Sequence, residues 1–376
     1  MNQVLFADEP MNFEAEPALT SMSAADRWKV LIVDDEKDIH DVTILALKRL
    51  EFELRGIEFL SAYSAAEGIA LLEAHPDIAV VLLDVVMEDD HAGLAMVRKI
   101  RENLKNDRVR IILRTGHPGQ APEESVTRDY DINDYREKTE LTAKSLRTVL
   151  ITALRSFRAI STIHTLHQEI DATQRELIYS LGEIAESRST ETGRHVRRVG
   201  EISAILAEKF GLPQPEVELI RIAAPMHDLG KLAINDSILN KPGPLTAEEF
   251  AVMKTHTDLG YEILGQSERP LLKMAATIAR EHHENYDGTG YPRGLGYADT
   301  SIYSKIVALV DVFDALGTKR VYKEAWPREK ILEFIRTESG RKFDPQLVEL
   351  LFANSDEIFQ VRQQLGDEQD ARFAEM

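Results

Sequence analysis

Histidines and carboxylates recur between Glu191 and Asp311 at intervals that a metal site readily explains. The series opens with Glu191-Thr-Gly-Arg-His195 and continues through His227-Asp228-Leu-Gly-Lys231 and His256. It closes with His282-His283-Glu-Asn-Tyr-Asp287-Gly-Thr-Gly290-Tyr291-Pro292 and Asp311. Of the eleven histidines in the chain, those beyond His195 are His227, His256, His282 and His283, and each belongs to this series. Glu191 and His195 stand four residues apart, so on a helix both face one shared partner. Adjacent helical side chains diverge by about 100°, so His227-Asp228 and His282-His283 could each touch two ions, or one ion and its surroundings. Such doublets suit a cluster better than a lone ion.

Imidazole with carboxylate suits iron, manganese or zinc, and no thiolate is present to favour a soft ion. The absence of cysteine excludes a zinc finger. Two ions ~3.5–4 Å apart can hold a bridging hydroxide, orient a phosphodiester and stabilise its leaving oxygen. Phosphoester hydrolysis is therefore the reaction class. His40, His75, His164 and His167 lie outside the pattern and read as ordinary surface or core residues.

Residues 180 to 355 resemble an HD-GYP domain, the subclass of HD phosphohydrolases that hydrolyses cyclic di-GMP. The strings that carry the resemblance are HDLGKLAINDSILNKPGPLT (227 to 246), MKTHTDLGYEIL (253 to 264), HHENYDGTGYPRGL (282 to 295) and DVFDALGTKRVYKEAW (311 to 326). Arg341-Lys-Phe-Asp-Pro345 resembles the closing Phe-Asp-Pro motif of the family. The resemblance implies an all-α domain with metal ligands at Glu191, His195, His227, Asp228, His256, His282, His283 and Asp311, and Glu191 with His195 is compatible with three ions rather than two. It implies iron or manganese, with zinc as an alternative. His227, Asp228 and Lys231 would carry the chemistry, with Lys231 near the scissile phosphate, and Arg320, Lys323 and Tyr291 would contact substrate. Asn285, Tyr297 and Thr300-Ser301 depart from the residues usual in the family. These departures bear on the substrate loop rather than on the metal ligands.

These groups must be positioned by a chain of 376 residues with 43% hydrophobic content, enough for two or three domains. Its formal charge of -19 argues against nonspecific nucleic-acid binding, which requires clustered Lys and Arg. An anionic substrate would depend on local metal and basic charge. Residues 1–28 are acidic and aperiodic and read as a mobile tail without a secretory pattern. The most apolar stretch, Ile78 to Met87, is broken by Asp84 and too short to span a bilayer. A soluble, cytoplasmic protein without membrane or DNA partners is expected.

Residues 29–143 alternate short β-branched runs with helical stretches, the pattern of a doubly wound α/β domain with a parallel sheet. Strands are expected at Lys29–Val33, Ile78–Leu83 and Arg110–Leu113, followed by Asp34-Asp35, Asp84 and Thr115 respectively. In such folds, groups at the carboxyl ends of strands converge on a ligand. The segment resembles a response-regulator receiver domain, a five-stranded flavodoxin-like sheet. The resemblance implies Asp84 as phospho-acceptor, Asp34 and Asp35 as magnesium-holding acids, and Thr115, Tyr135 and Lys138 as the switch. Thr139 stands where receivers usually place proline, and RTGHPGQAPE (114 to 123) and INDYREKTELT (132 to 142) resemble receivers fused to HD-GYP domains.

Residues 141 to 181 contain neither glycine nor proline, so a long helical linker (144–181) should join the receiver to an HD-GYP domain over 182–365, before a frayed tail at 366–376. Ile163, Leu166, Ile170, Leu177 and Ile184 follow one heptad seam, and Leu146, Leu150, Phe157 and Ile160 fit a shifted register. Homodimerisation through the helix, or packing on its own domain, would cover them. Pro327 and Pro345 are placed to begin helices.

The resemblances together imply a regulator, phosphorylated at Asp84 by a cognate histidine kinase, that opens cyclic di-GMP to pGpG, with the end product either pGpG or GMP. The alternatives are a phosphohydrolase of another nucleotide and a non-catalytic adaptor that binds a diguanylate-cyclase domain.

Overall fold

A computed structural model describes residues 27–87, 92–116, 130–138, 142–188, 194–318 and 325–366. The chain divides into two compact units, Met1–Gln168 and Glu169–Met376.

The first unit is built on a sheet of β1 (Trp28–Val33), β2 (Glu51–Phe52), β3 (Arg55–Ala62), β4 (Ile78–Asp84), β5 (Arg110–Thr115) and β6 (Asp134–Glu137), in the order β2-β3-β1-β4-β5-β6. Five strands pair in parallel, the expected doubly wound arrangement. The sixth, β2, is a two-residue antiparallel edge folded back through Glu53 and Leu54, both at positive φ. Every residue of β4 is buried, which is why its sequence is a continuous apolar run rather than an alternating one. Successive residues serve opposite faces. Leu31, Val33, Val81, Leu83, Ile111 and Leu113 enter one core, while Val30, Ile32, Val80, Leu82 and Ile112 enter the other. Because β1, β4 and β5 are adjacent, their carboxyl ends bring Asp34, Asp84 and Thr115 to one edge. Leu146, Leu150, Ala153 and Leu154, early in the helix Ala143–Ser187, close the second of these cores.

Among its described residues the second unit is helical. Helices Arg194–Phe210, Gln214–Ala223, Pro270–Glu281, Ile302–Gly317, Arg328–Thr337 and Pro345–Ala353 all contribute to one core that includes Val199, Ile202, Leu206, Ile220, Ile278, Leu309, Phe313 and Leu351. Val199, Ile202 and Leu206 show why: steps of three and four residues put them on one face of their helix. Pro327 and Pro345 start helices as expected, and Asp344 caps the latter through the Gln346 amide. The long helix ends in this unit, where Ala185 is buried in the core. Between its two anchored ends, Ile163, Leu166, Ile170, Leu177 and Ile184 are exposed, at 51–63%. No helix among the described residues is long and apolar enough to cross a membrane.

Candidate metal centre

All but one of the following candidate metal donors sit where helices begin or end, or where two short 3-10 turns meet; the exception is Asp311. His195 is the second residue of Arg194–Phe210, His256 the first of His256–Leu264, and His282 the C-cap of Pro270–Glu281. His227 and Asp228 lie between the turns Ala224–Met226 and Leu229–Ala233, and Asp311 lies within Ile302–Gly317. Gly230 permits this convergence, because a Cβ there would collide with the His256 carbonyl oxygen and the Gly260 nitrogen. The turn carrying His227-Asp228 can thus rest directly on the start of the His256 helix.

The side chains meet in a buried cluster. Asp311 Oδ1 lies 3.3 Å from His195 Nε2 and 3.7 Å from His227 Nε2. Asp228 Oδ2 lies 3.2 Å from His227 Nε2, and Asp228 Oδ1 lies 3.2 Å from His256 Nε2 and 3.6 Å from His282 Nε2. Three overlapping groups result: Asp228, His256, His282 and His283; His195, His227 and Asp311; and Glu186, His227 and Asp228. Within each, candidate ligand atoms lie within 4.8 Å of one another.

Four imidazoles are oriented from behind. The Nδ1 atoms of His227 and His256 reach the Ala224 and Met253 carbonyls at 2.9 and 2.8 Å, His282 Nδ1 reaches those of Ile278 and Ala279, and His195 Nδ1 reaches Asp314 Oδ2 at 2.8 Å. With Nδ1–H donating to a carbonyl, Nε2 keeps its lone pair for a metal. Nε2 of His227, His256 and His282 and Asp228 Oδ1 are buried without a hydrogen-bond partner. Leaving such an atom unsatisfied costs about 1–3 kcal/mol, and divalent cations bound within these overlapping groups would satisfy them. The residues therefore fit a multinuclear site of nitrogen and oxygen donors.

The electrostatics agree. Burial alone would depress the His195 imidazolium, yet its bonds to Asp311 and Asp314 outweigh this and hold it well above its usual range. His227 likewise rises against its burial, to about 9, through Asp228, Asp311 and Glu186. Burial opposes ionisation of Asp228, but Lys231 and His227 overcome it and keep the carboxyl well below its ordinary value. His282 and His283 go the other way, pushed down chiefly by burial. Without metal, protons on His195 and His227 offset the acids; a bound cation would displace them.

Several contributors lack an obvious mark in the sequence. Asp314, fully buried, accepts from Arg198 at 2.8 and 2.9 Å and from Arg362 at 3.0 Å while holding His195. Its one signal is its place a helical turn after Asp311. Glu186, also fully buried, lies 3.3 Å from Lys231 Nζ, which lies 2.6 Å from Asp228 Oδ2. The Lys231 ammonium is thereby aimed along the acid edge of the cluster. Tyr291 lays its ring 4.6 Å from that of His283, tilted by 33°. Burial raises the Tyr291 phenol, so it stays protonated. Glu191, Arg320 and Lys323 lie outside the described residues, as does Thr139.

In the first unit, candidate ligand oxygens of Asp34, Asp35 and Asp84 also lie within 4.8 Å of one another. Lys138 Nζ reaches Asp84 at 2.8 Å and Asp34 at 3.2 Å. Burial raises the Asp84 carboxyl despite that lysine, and the Lys138 ammonium is raised, against its own burial, by Asp84. Thr115 is buried at the end of β5, its carbonyl accepting from the Lys138 amide at 2.7 Å, and Tyr135 packs into the core. Arg114 was not anticipated. It is buried, 3.3 Å from Asp34 Oδ2 and 3.0 Å from Thr43 Oγ1.

Residues 30–150 match the response regulator receiver domain family, and residues 180–347 match the HD domain family. A "3'3'-cGAMP-specific phosphodiesterase 2" of Vibrio cholerae is 34% identical over 96% of this chain and 98% of its own length. The "Cyclic di-GMP phosphodiesterase response regulator RpfG" of Xanthomonas campestris is 34% identical over 83% of this chain and 76% of its own. A "Cyclic di-GMP phosphodiesterase" of Thermotoga maritima is 34% identical over 90% and 94%.

Proposed function

The chain belongs to the response regulators that join a receiver domain to an HD domain and whose relatives are cyclic-dinucleotide phosphodiesterases, and on that footing we propose that it hydrolyses cyclic di-GMP. The observation that carries this reading is the convergence of buried imidazoles and carboxylates, among which Nε2 of His227, His256 and His282 and Oδ1 of Asp228 have no hydrogen-bond partner. His195, His227, Asp228, His256, His282, His283 and Asp311, with Glu191, would hold two or three divalent ions, iron or manganese before zinc. Bound there, the ions would supply Lewis-acid activation of water and of the phosphoryl oxygens.

The protein's own groups do the rest. Lys231, held by Asp228 and Glu186, would meet the charge that grows on the phosphoryl oxygens. Tyr291, kept protonated, would donate a hydrogen bond to substrate, and Arg320 and Lys323 would meet its phosphates. A carboxyl group or histidine not engaged as a metal ligand would protonate the departing 3′ oxygen. The first product would be pGpG, and the end product pGpG or GMP.

Phosphorylation of Asp84 by a histidine kinase, with magnesium on Asp34 and Asp35, would set the activity, and the exposed seam of the Ala143–Ser187 helix would pair two copies in the cytoplasm. Turnover of cyclic di-GMP and 3'3'-cGAMP should be followed side by side, with and without a small phosphodonor, for the wild type and Asp84→Asn. Cyclic di-GMP turnover that responds to phosphodonor only in the wild type is expected. Absence of hydrolysis by metal-loaded protein would remove the assignment. A preference for 3'3'-cGAMP is the second reading, favoured because the relative that spans 98% of its own length in the match acts on that substrate.

A further inference from the structure

We propose that Phe250 and Lys254, together with Tyr291, form a seat for a guanine base of the substrate; this rests on the cyclic-dinucleotide reading above. Both new residues lie on the helix Ala247–Lys254, which buries none of its residues. Its start is fixed instead by a capping box between Thr246 and Glu249. Phe250 and Lys254 stand four residues apart and so share a face. His256 follows Lys254 by two residues, so this helix leads directly into the one that begins with a candidate metal donor.

A line of rings leads outward from the candidate ligands. Tyr291 lies 4.6 Å from His283, and Phe250 lies 6.2 Å from Tyr291 at 78°. Phe250 is 46% exposed, an aromatic surface beside a polar cluster rather than part of the core. Lys254 Nζ sits 5.4 Å from the Phe250 ring centre and 5.9 Å from that of Tyr291. Among the described residues Lys254 makes no ion pair, although the chain has 64 acids to 45 Lys and Arg.

A single exposed apolar residue needs no explanation. An exposed ring set at an angle to a second ring, with an ammonium near both and a phosphate-directed cluster behind, fits a nucleobase. A base can stack on Phe250 with the sequence tolerance of any aromatic platform. The O6 and N7 acceptors of guanine offer Lys254 a hydrogen-bonding edge that adenine, with its N6 amino donor, lacks. The phosphodiester would lie at the metal donors and the base would reach outward along the rings.

The test compares Phe250→Ala, Phe250→Trp and Lys254→Met with wild type in metal-loaded full-length protein. KM and kcat are measured for cyclic di-GMP and cyclic di-AMP, along with turnover of methyl 4-nitrophenyl phosphate, which has no base. Phe250→Ala should raise KM for cyclic di-GMP about tenfold, the scale of one stacked base, with a smaller change in kcat. That loss should exceed its loss on the small diester at least fivefold, and Phe250→Trp should restore KM. Lys254→Met should lower the ratio of cyclic di-GMP to cyclic di-AMP kcat/KM by about tenfold, the scale of one base contact. Metal content, measured in parallel, should be unchanged in all three. Cyclic di-GMP turnover with an unaltered KM in Phe250→Ala would overturn the seat alone. A wild type that cleaves the small diester but no cyclic dinucleotide would overturn the functional reading, and the seat with it.

Discussion

At the carboxyl edge of the sheet, Asp34 and Asp84 are met by Lys138 and Arg114 at 2.8–3.3 Å, whereas in the helical unit Asp228 and Asp311 face four imidazoles and one lysine. The first pocket brings permanent cations, since guanidinium and ammonium stay charged across the physiological range. The second brings, beside the Lys231 ammonium, imidazoles that are cationic only while protonated and whose outward nitrogens are directed at the acids. A buried carboxylate must be compensated in either case. The receiver pocket does so with its own side chains, Lys138 and Arg114. The imidazole cluster is compensated by protons until a metal replaces them.

The sharpest way to break this contrast is Arg114→Leu. It leaves buried Asp34 with Lys138 alone, and removing one partner of a buried pair costs about 3 kcal/mol or more. Thermal unfolding of the receiver domain should shift down accordingly while metal content stays constant; an unchanged midpoint would mean that Arg114 compensates nothing. Next, Asp314→Asn takes the carboxylate from behind His195 and should weaken metal binding about 10–100-fold, the usual effect of losing such a support, as read by competition with a chelator.

A pH series sharpens the same point. In metal-free protein His227 is protonated below about 9, whereas an unfolded histidine titrates near ~6.5. Its contribution to stability is therefore complete below the unfolded value and lost as pH rises through the folded one. A metal must displace that proton, so apparent affinity should rise up to about tenfold per pH unit toward 9, with protons released on binding. Titrations in buffers of different ionisation enthalpy would reveal the release; pH-independent affinity would contradict the proton-compensated cluster.

The smallest effect belongs to Asp84→Asn. The folded Asp84 carboxyl lies above its ordinary value, chiefly through burial, so the stability of the receiver falls as pH rises from the unfolded value through the folded one. Removing the ionisation should raise the melting temperature of magnesium-free protein above that range, with the gain vanishing in acid. A lower melting temperature at neutral pH would reverse the sign assigned to this pocket.

The seven described histidines and acids of the proposed site were readable because few residue types serve as hard or borderline ligands and their doublets are rare by chance. The parallel sheet was equally legible in the buried runs of β1, β4 and β5. β4 and β5 end beyond their apolar runs, at Asp84 and Thr115, because ladder hydrogen bonds continue under polar side chains. β2 carries only Glu51 and Phe52 and shows no period. Asp314 and Glu186 stand on helices where an acid ordinarily reads as a solvated face; only tertiary packing buries them against His195 and Lys231. Arg114 reads as a strand residue until parallel pairing sets it beside Asp84 and its guanidinium reaches Asp34.

The most direct test is the metal content of anaerobically purified protein beside Asp228→Ala, since Asp228 joins His227, His256, His282 and Lys231. At least two transition-metal ions per chain are predicted for the wild type, with most of them, and cyclic di-GMP hydrolysis, lost in the variant. Wild-type protein that hydrolyses the substrate without bound metal, or a variant that keeps both its metal and its turnover, would contradict the account.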